Sequence, residues 1–248
     1  MEPGAYPLHA ELEERHFWFR GRRAIAERVI TSLGLPPRAR IVELGSGTGG
    51  NLAMLARYGD VVAIEPNAEA RAISAARAPA VTHLGSLDAL SGRAFDAAFA
   101  FDVLEHLDDA PATLRQLGGW LVPGAPLVVT VPAHPRLFGD HDAYLHHRRR
   151  YTRATLRRDL EDGRFSVAHL TPFNVGMLAP AIVLRLVESA RHAVGGAAPV
   201  TARGMTLPPR AVNEGLAALF ASERALVLTG LPVGLSLLAI ARRAGGDA

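Results

Sequence analysis

Residues 41–51 read Ile41-Val42-Glu43-Leu44-Gly45-Ser46-Gly47-Thr48-Gly49-Gly50-Asn51, and this run decides the fold. Ile41 to Leu44 has the character of a buried strand. Gly45, Gly47, Gly49 and Gly50 then crowd into six positions. An apolar helical pattern resumes through Leu52, Leu55 and Ala56, so a helix is expected over 50–58. A strand, a glycine turn and a helix start bring backbone N–H groups close against a ligand. A second strand, Val61 to Ile64, ends at Glu65, 20 residues after Gly45. An acidic side chain at that spacing is placed to meet a ribose diol. The pair points to a cofactor that contains a nucleoside.

Outward from this run, strands and helices alternate. Strands are expected at 40–44, 61–65, 80–84, 95–101, 125–131 and 165–170, and helices at 50–58, 67–77, 110–120 and 154–161. Pro232 to Arg242 reads as a last buried strand. Such alternation implies an α/β fold with a doubly wound, seven-stranded, mostly parallel sheet. Residues 9–33 carry an amphipathic pattern, one helix or a pair, closed by Pro36-Pro37. Residues 174–230 are far too long for a simple hairpin between the last two strands. They hold an apolar helix candidate (Met177 to Val187), a linker rich in Gly, Ala, Pro and Thr (Gly195 to Pro209) and a second helix (Ala211 to Leu228). The expected organisation is an N-terminal helical lid (1–38), a core formed by 39–173 with 231–243, and a helical insertion (174–230). The insertion reads three ways: a lid over an apolar acceptor, a patch resting on a bilayer beside Arg185, Arg191, Arg203 and Arg210, or two helices packed on the sheet edge.

Composition removes several function classes. The chain has 248 residues, 49% of them hydrophobic, enough for one α/β domain with an insertion. It has no cysteine, which excludes disulfides, thiolate nucleophiles and cysteine metal sites. It also has no lysine; all 27 basic residues are arginine. A phosphate-binding Walker loop and Schiff-base chemistry both require a lysine. So does the Tyr-x-x-x-Lys chemistry of short-chain dehydrogenases. The pI of 9.9 reflects arginine's high pKa, since the net charge is only +3; nucleic acid is not expected as a substrate. Neither a signal peptide nor a spanning apolar run is visible, so a cytoplasmic location is expected.

Gly45, Gly47 and Gly50 also fit G-x-G-x-x-G, which keeps a dinucleotide in play. Glu43, two residues before the turn, is awkward beside a pyrophosphate and suits a ligand with an ammonium and a sulfonium. The run E-L-G-S-G-T-G resembles motif I of class I S-adenosylmethionine (SAM) dependent methyltransferases. Segments resembling that family follow in order: Gly85 to Asp88, Phe95 to His106, and Leu121 to Pro132. The resemblance spans residues 40–172 and implies an antiparallel last strand inserted between the fifth and sixth. It also implies cofactor-binding roles. The loop Glu43, Gly45, Ser46, Gly47, Thr48 and Gly49 would pass under the methionine and ribose. Glu65, with Pro66, would hold the ribose hydroxyls. Asp88 would accept from the adenine amino group while Leu87 donates its N–H. Phe101, Asp102, Val103 and His106 would line the methionine end.

Methyl transfer to a hydroxyl needs a general base. His134, His141, His146 and His147 lie in one loop after the fifth strand, with Asp140 and Asp142. Such a loop sits at the ligand-binding edge of a doubly wound sheet. His141 or His147 is the expected catalytic base, with Asp140 or Asp142 orienting it. The alternative is a purely structural loop, its acids capping helices and pairing with Arg148 to Arg150. D-H-D…H-R-R-R-Y-T resembles a bacterial subgroup of the family that shares H-F-W-F-R-G-R-R, here His16 to Arg23. Trp18, Arg20 and Arg23 either close over the cofactor, the arginines meeting its carboxylate, or belong to a helix packed on the sheet. Asp102, Glu105 and His106 form D-x-x-E-H, which resembles the metal-binding E-x-x-E-H of ubiquinone-pathway O-methyltransferases. The shorter Asp departs from that pattern, and no metal is expected.

The combined expectation is a SAM-dependent methyltransferase acting on a small-molecule or lipid-like acceptor, most readily at oxygen, as a monomer or homodimer with peripheral membrane contact open. Two alternatives stand: an NAD(P)-dependent oxidoreductase, and a non-catalytic binding module on the same fold.

Overall fold

In the computed structural model, which describes residues 4–193 and 206–245, seven strands form one sheet. They are β1 (Ala39–Leu44), β2 (Gly59–Ile64), β3 (Thr82–Leu84), β4 (Ala97–Phe101), β5 (Pro126–Pro132), β6 (Phe165–Phe173) and β7 (Ser236–Arg243). The order is β3-β2-β1-β4-β5-β7-β6. All neighbours are parallel except β7, which runs antiparallel between β5 and β6. This is the Rossmann-like topology expected, and it turns about β1 and β4, where strand order reverses and ligands bind.

The core lies on both faces of the sheet. β1 alternates accordingly: Val42 and Leu44 join the cluster containing Leu114, Leu117, Leu156 and Leu160. Ile41 faces the opposite cluster with Ile25, Val29, Leu52 and Leu55. Those partners lie on α5 (Ala110–Gly119) and α7 (Arg153–Asp162) on one side, and on α2 (Phe17–Ser32) and α3 (Leu52–Leu55) on the other. Glu43 shares the parity of Ile41 and is buried with it at 1% exposure.

Two elements differ from expectation. The helix expected at 50–58 is only the single turn α3. β2 starts at Gly59 so as to pair with β1 from Ala39 onward, leaving the helix little chain. The N-terminal pattern resolves into a pair, α1 (Tyr6–Arg15) and α2, broken at His16. His16 is extended there, and its Nδ1 accepts the N–H of Trp18 at 3.2 Å, capping α2.

The insertion contributes α8 (Leu178–Ala193) and α9 (Arg210–Ser222); its expected linker lies outside the described residues as far as residue 205. α9 packs on α2 rather than on the sheet edge. Gly21 makes this possible: a Cβ there would come within 2.4 Å of Phe220 Cδ1. Phe17 meets Phe220 edge-on, with ring centroids 6.0 Å apart. Asn213, 5% exposed, accepts from Phe17 N and donates to Arg15 O, both at 2.8 Å, so it stitches the α1–α2 break to α9. The N-terminal helices and the second half of the insertion therefore form one cap. α8 leaves Ile182, Val183, Leu184, Leu186 and Val187 exposed. Among the described residues no helix is long and apolar enough to cross a membrane.

Candidate active site

The turn after β1 requires its glycines. Gly45, Gly47 and Gly49 have φ of +69°, +54° and +88°, a region costly for side-chain-bearing residues. Gly45 N and Ser46 N both donate to Ile64 O, at 2.8 and 3.0 Å, which ties the turn to the end of β2. A Cβ on Gly45 would lie 2.5 Å from Val103 Cγ2, whereas one on Gly47 would meet open space. Val103 thus supports the turn from below, and Gly47 marks an open side.

Carboxylates surround this turn. Glu65, just past β2, accepts from Gly47 N at 2.9 Å and from Asn67 N at 2.8 Å. Glu43 Oε1 accepts from Asn51 Nδ2 at 3.1 Å, while its Oε2 is buried without a partner among the described residues. Burial, reinforced by Glu13 and Glu65 and opposed by the Asn51 hydrogen bond, pushes the Glu43 carboxyl up to about 8. Glu13 of α1 reaches Thr48 Oγ1 at 2.6 Å and Arg77 at 2.6 Å. Sequence reasoning missed Glu13, whose contacts come from α1 folding over the loop. Ser46 Oγ is also buried without a partner among the described residues. The carboxylates of Glu13 and Glu65 around the turn favour a cationic ligand and oppose a pyrophosphate, and the unpaired polar atoms of Glu43 and Ser46 offer it hydrogen-bond partners.

The remaining expected cofactor residues lie at the same edge of the sheet. Leu87 is buried in the turn after β3, and Asp88 accepts from Gln116 Nε2 at 2.5 Å. Pro66 follows Glu65, with its carbonyl held by Arg71 at 3.1 Å. Phe101 stacks on Phe99, centroids 5.8 Å apart. Asp102 leaves β4 with φ +56° and accepts from Arg22 Nη2, 2.6 Å to Oδ1. Arg22 also donates to Thr130 and Ser236, at 3.0 and 3.1 Å, with its guanidinium over Trp18 and Phe173.

The arginines of His16 to Arg23 fall in different surroundings. Arg20 makes a two-pronged bridge to Glu214 of α9, at 2.8 and 2.9 Å, and lines a cavity of about 500 Å³ with Arg15, Arg210 and Asn213. Arg23 is directed to Glu14 O at 3.5 Å. The arginine that reaches the carboxyl edge is Arg22, one helical step from Trp18. The i, i+4 spacing of Trp18 and Arg22 was the signal available for it.

The histidines separate into distinct environments. His134 Nε2 pairs with Gly234 O at 2.9 Å. His141, in the short helix α6 (Asp140–Tyr144), is exposed, and its imidazole meets no hydrogen-bond partner among the described residues. Asp140 pairs with His192 at 3.3 Å. His147 Nδ1 lies 2.8 Å from Asp142 Oδ1. Asp142 is fully buried, and Arg150 Nε bonds both its oxygens, at 2.8 and 2.9 Å. Despite burial, the hydrogen bonds from His147 and Arg150 hold its carboxyl down to about 2. Of the four base–orienter combinations, the fold brings together His147 with Asp142. Tyr151 of the same motif is a core residue, its hydroxyl on Leu104 O at 3.2 Å.

Glu105 is wholly buried, and both its carboxylate oxygens lack a partner among the described residues. Its carboxyl is held well above the ordinary range, by burial first and then by Asp102. His106 stands edge-on to His147 at 4.8 Å, and burial with that neighbour lowers it to about 4, so it is neutral.

With this geometry in place, comparison with known proteins fixes the class. Residues 14–170 match the methyltransferase domain family. The chain belongs to that family and is a class I SAM-dependent methyltransferase. Trans-aconitate 2-methyltransferase of Deinococcus radiodurans is 30% identical over 206 residues, 79% of this chain and 72% of the relative. Among solved structures, a methyltransferase of Haloferax volcanii in complex with the Trm112 activator shares the fold at TM-score 0.60 and 16% identity, over 98% of this chain and 96% of the other. Geranyl diphosphate C-methyltransferase of Streptomyces coelicolor, bound to Mg2+, geranyl-S-thiolodiphosphate and S-adenosyl-L-homocysteine, aligns at TM-score 0.57 and 14% identity, over 88% and 75% of the two chains. The oxidoreductase alternative is set aside by the family match.

Proposed function

We propose that this methyltransferase acts on an oxygen atom of a small or lipid-like acceptor, with SAM held by the glycine turn and the acceptor facing the turn at 102–106. The observation that carries the reading is the acidic, glycine-lined turn with two buried polar atoms, Glu43 Oε2 and Ser46 Oγ, that have no partner among the described residues. These residues suit a ligand that is cationic at one end and carries a ribose at the other.

When bound, the cofactor supplies a methyl carbon activated by a sulfonium. The chain supplies position and proton handling. In this reading Gly45, Gly47 and Gly49 let the backbone approach closely, Glu65 takes the ribose hydroxyls, and Asp88 with Leu87 takes the adenine. Phe101, Asp102, Val103 and His106 form the other end. Arg22 ties the cap to Asp102, so the cap's position and the site are coupled. Shutting water out and aligning the acceptor is the main work of such an enzyme.

For a hydroxyl acceptor, His147 is the base. Asp142 takes the Nδ1 proton at 2.8 Å, which leaves the Nε2 lone pair free. A carboxylate acceptor is the second reading, supported by the trans-aconitate relative and by Arg22, a cation at the same edge. An ionised carboxylate needs no base. Replacing His147 by Ala therefore separates the two by its effect on turnover.

The cofactor assignment is tested by calorimetric titration with SAM, S-adenosylhomocysteine and NADH. Binding of the first two and not the third is expected. Glu65→Ala should weaken SAM by roughly 100-fold or more, as loss of a charge-assisted ribose contact and of the loop's own hydrogen bond would require. Retained affinity would refute the role given to Glu65.

A further inference from the structure

We propose that α8 is a docking helix for the surface of an anionic phospholipid bilayer, with its aliphatic side seated in the lipid. The helix is inverted. Arg185, Glu188 and His192, spaced i, i+3 and i+7, share one side of it. That side faces the protein. Glu188 Oε2 lies 3.6 Å from Arg185 Nη1, and a Cβ on Gly139 would come within 2.6 Å of it. His192 Nε2 pairs with Asp140 at 3.3 Å. Ile182, Val183, Leu184, Leu186 and Val187 lie on the rest of the surface, 41% to 65% exposed. A helix that only packs on a domain buries its apolar stripe and shows its charges. α8 does the reverse.

The aliphatic surface continues from α8 onto α9. Glu223, just past α9, accepts from Asn174 N and Val175 N at 2.7 and 2.9 Å, which pins the start of α8 to the end of α9. Leu219 of α9 is exposed, and a Cβ on Gly176 would lie 3.8 Å from its Cδ2. Val212 lies two turns earlier on the same side of α9 and is exposed as well. A continuous aliphatic surface of this kind marks contact with a partner or a membrane.

Charge selects the occupant. Arg191 follows Leu184 and Val187 at i+7 and i+4, so it stands among the aliphatic residues, exposed. Arg136, in the turn Pro135–Leu137 that packs against α8, is exposed too. Neither has a carboxylate partner among the described residues. The nearby carboxylates are engaged: Glu188 against the protein, Asp140 with His192, and Glu223 with two backbone N–H groups. Aliphatic side chains beside free arginines match a bilayer that carries anionic headgroups. A second copy matches less well. An isologous pair sets the same patch against itself, arginine against arginine with no free carboxylate between them. α8 has 16 residues, too few to span a bilayer, so the contact is peripheral. Because Asp140 belongs to the histidine loop, docking brings that loop to the lipid surface. The inference concerns where the enzyme sits and does not rest on the acceptor atom proposed above.

The test is co-sedimentation of the full-length protein with vesicles of equal parts phosphatidylglycerol and phosphatidylethanolamine, and with vesicles of phosphatidylcholine alone. Saturable binding to the first, weakened by salt and much weaker on the second, is expected. Leu186→Asp should lower vesicle affinity at least ~10-fold, since it removes an inserted aliphatic side chain and adds an anion. Arg191→Ala should lower it about fivefold. Leu8→Asp, at an equally exposed leucine of α1, should leave it unchanged. All three side chains face solvent, and titration of each variant with S-adenosylhomocysteine checks its fold. No binding of the wild type to the anionic vesicles, or unchanged affinity in Leu186→Asp, would overturn the docking helix. So would a wild-type dimer in sedimentation velocity that Leu186→Asp dissociates, because a second copy would then cover the patch. Cofactor binding without vesicle binding sinks this inference alone and leaves the methyltransferase reading standing.

Discussion

The glycine turn and the histidine loop lie at the same edge of one sheet, yet they are built differently. The turn is local: Glu43, the glycines and Glu65 fall within 23 residues, and adjacent parallel strands bring them together. The histidine loop depends on contacts across the fold, with His147 set against Glu105 and His106, and Asp142 locked by Arg150. A short-range site is written as a motif. A long-range site is written as single residues whose meaning appears only after folding.

The largest expected effect lies in the local half. Gly45→Ala places a Cβ 2.5 Å from Val103 Cγ2 at a residue with φ +69°. Left-handed backbone costs an alanine about 1–2 kcal/mol, and overpacking against Val103 adds roughly 1–3 kcal/mol. The variant should melt several degrees lower and lose measurable SAM binding. Normal binding with a normal melting temperature would show that the turn tolerates what its geometry forbids, and would weaken the contrast.

Glu43 sharpens the same comparison through pH. Its folded carboxyl titrates near 8, against an ordinary value of 4.5. The folded state therefore keeps a proton that the unfolded chain releases. Its contribution to stability is fully present below about 4.5 and is lost as pH rises through about 8. The loss is on the order of a few kcal/mol for a shift of this size. Urea melts between pH 5 and 9 should show it, and Glu43→Gln should flatten the curve. A wild-type profile as flat as the variant's would mean that Glu43 is ionised in the fold.

Much of the first half was legible because its determinants are periodic or contiguous. The doubly wound sheet followed from the alternation of elements, the antiparallel place of β7 from the family resemblance, and the position of Glu65 beside the glycine turn from its spacing. What escaped detection had a physical reason. The helix after the turn shrank to Leu52–Leu55 because β2 begins at Gly59, a boundary fixed by pairing with β1 rather than by local propensity. His141 and His147 looked equivalent in sequence; Asp142 and Arg150 distinguish them only in the folded loop. The N-terminal segment and the insertion read as separate parts because no local signal pairs Asn213 with Phe17, 196 residues away.

Arg20 and Arg22 give the smallest expected effect and the finest cut between the halves. They lie two residues apart on α2 and therefore on different sides of it. Arg20 is bridged to Glu214 on the surface, where both side chains are more than one-third exposed. Such pairs contribute roughly 0–1 kcal/mol, so Arg20→Ala should leave SAM affinity within about twofold, a difference well under 1 kcal/mol. Arg22 is 12% exposed and bonded to Asp102 at the exit of β4. Its removal would leave Asp102 without its cation and loosen the cap from the sheet. Paired titrations of the two alanine variants with SAM decide which arginine belongs to the site. A large loss in Arg20→Ala would mean that the cap rearranges on binding and brings Arg20 inward.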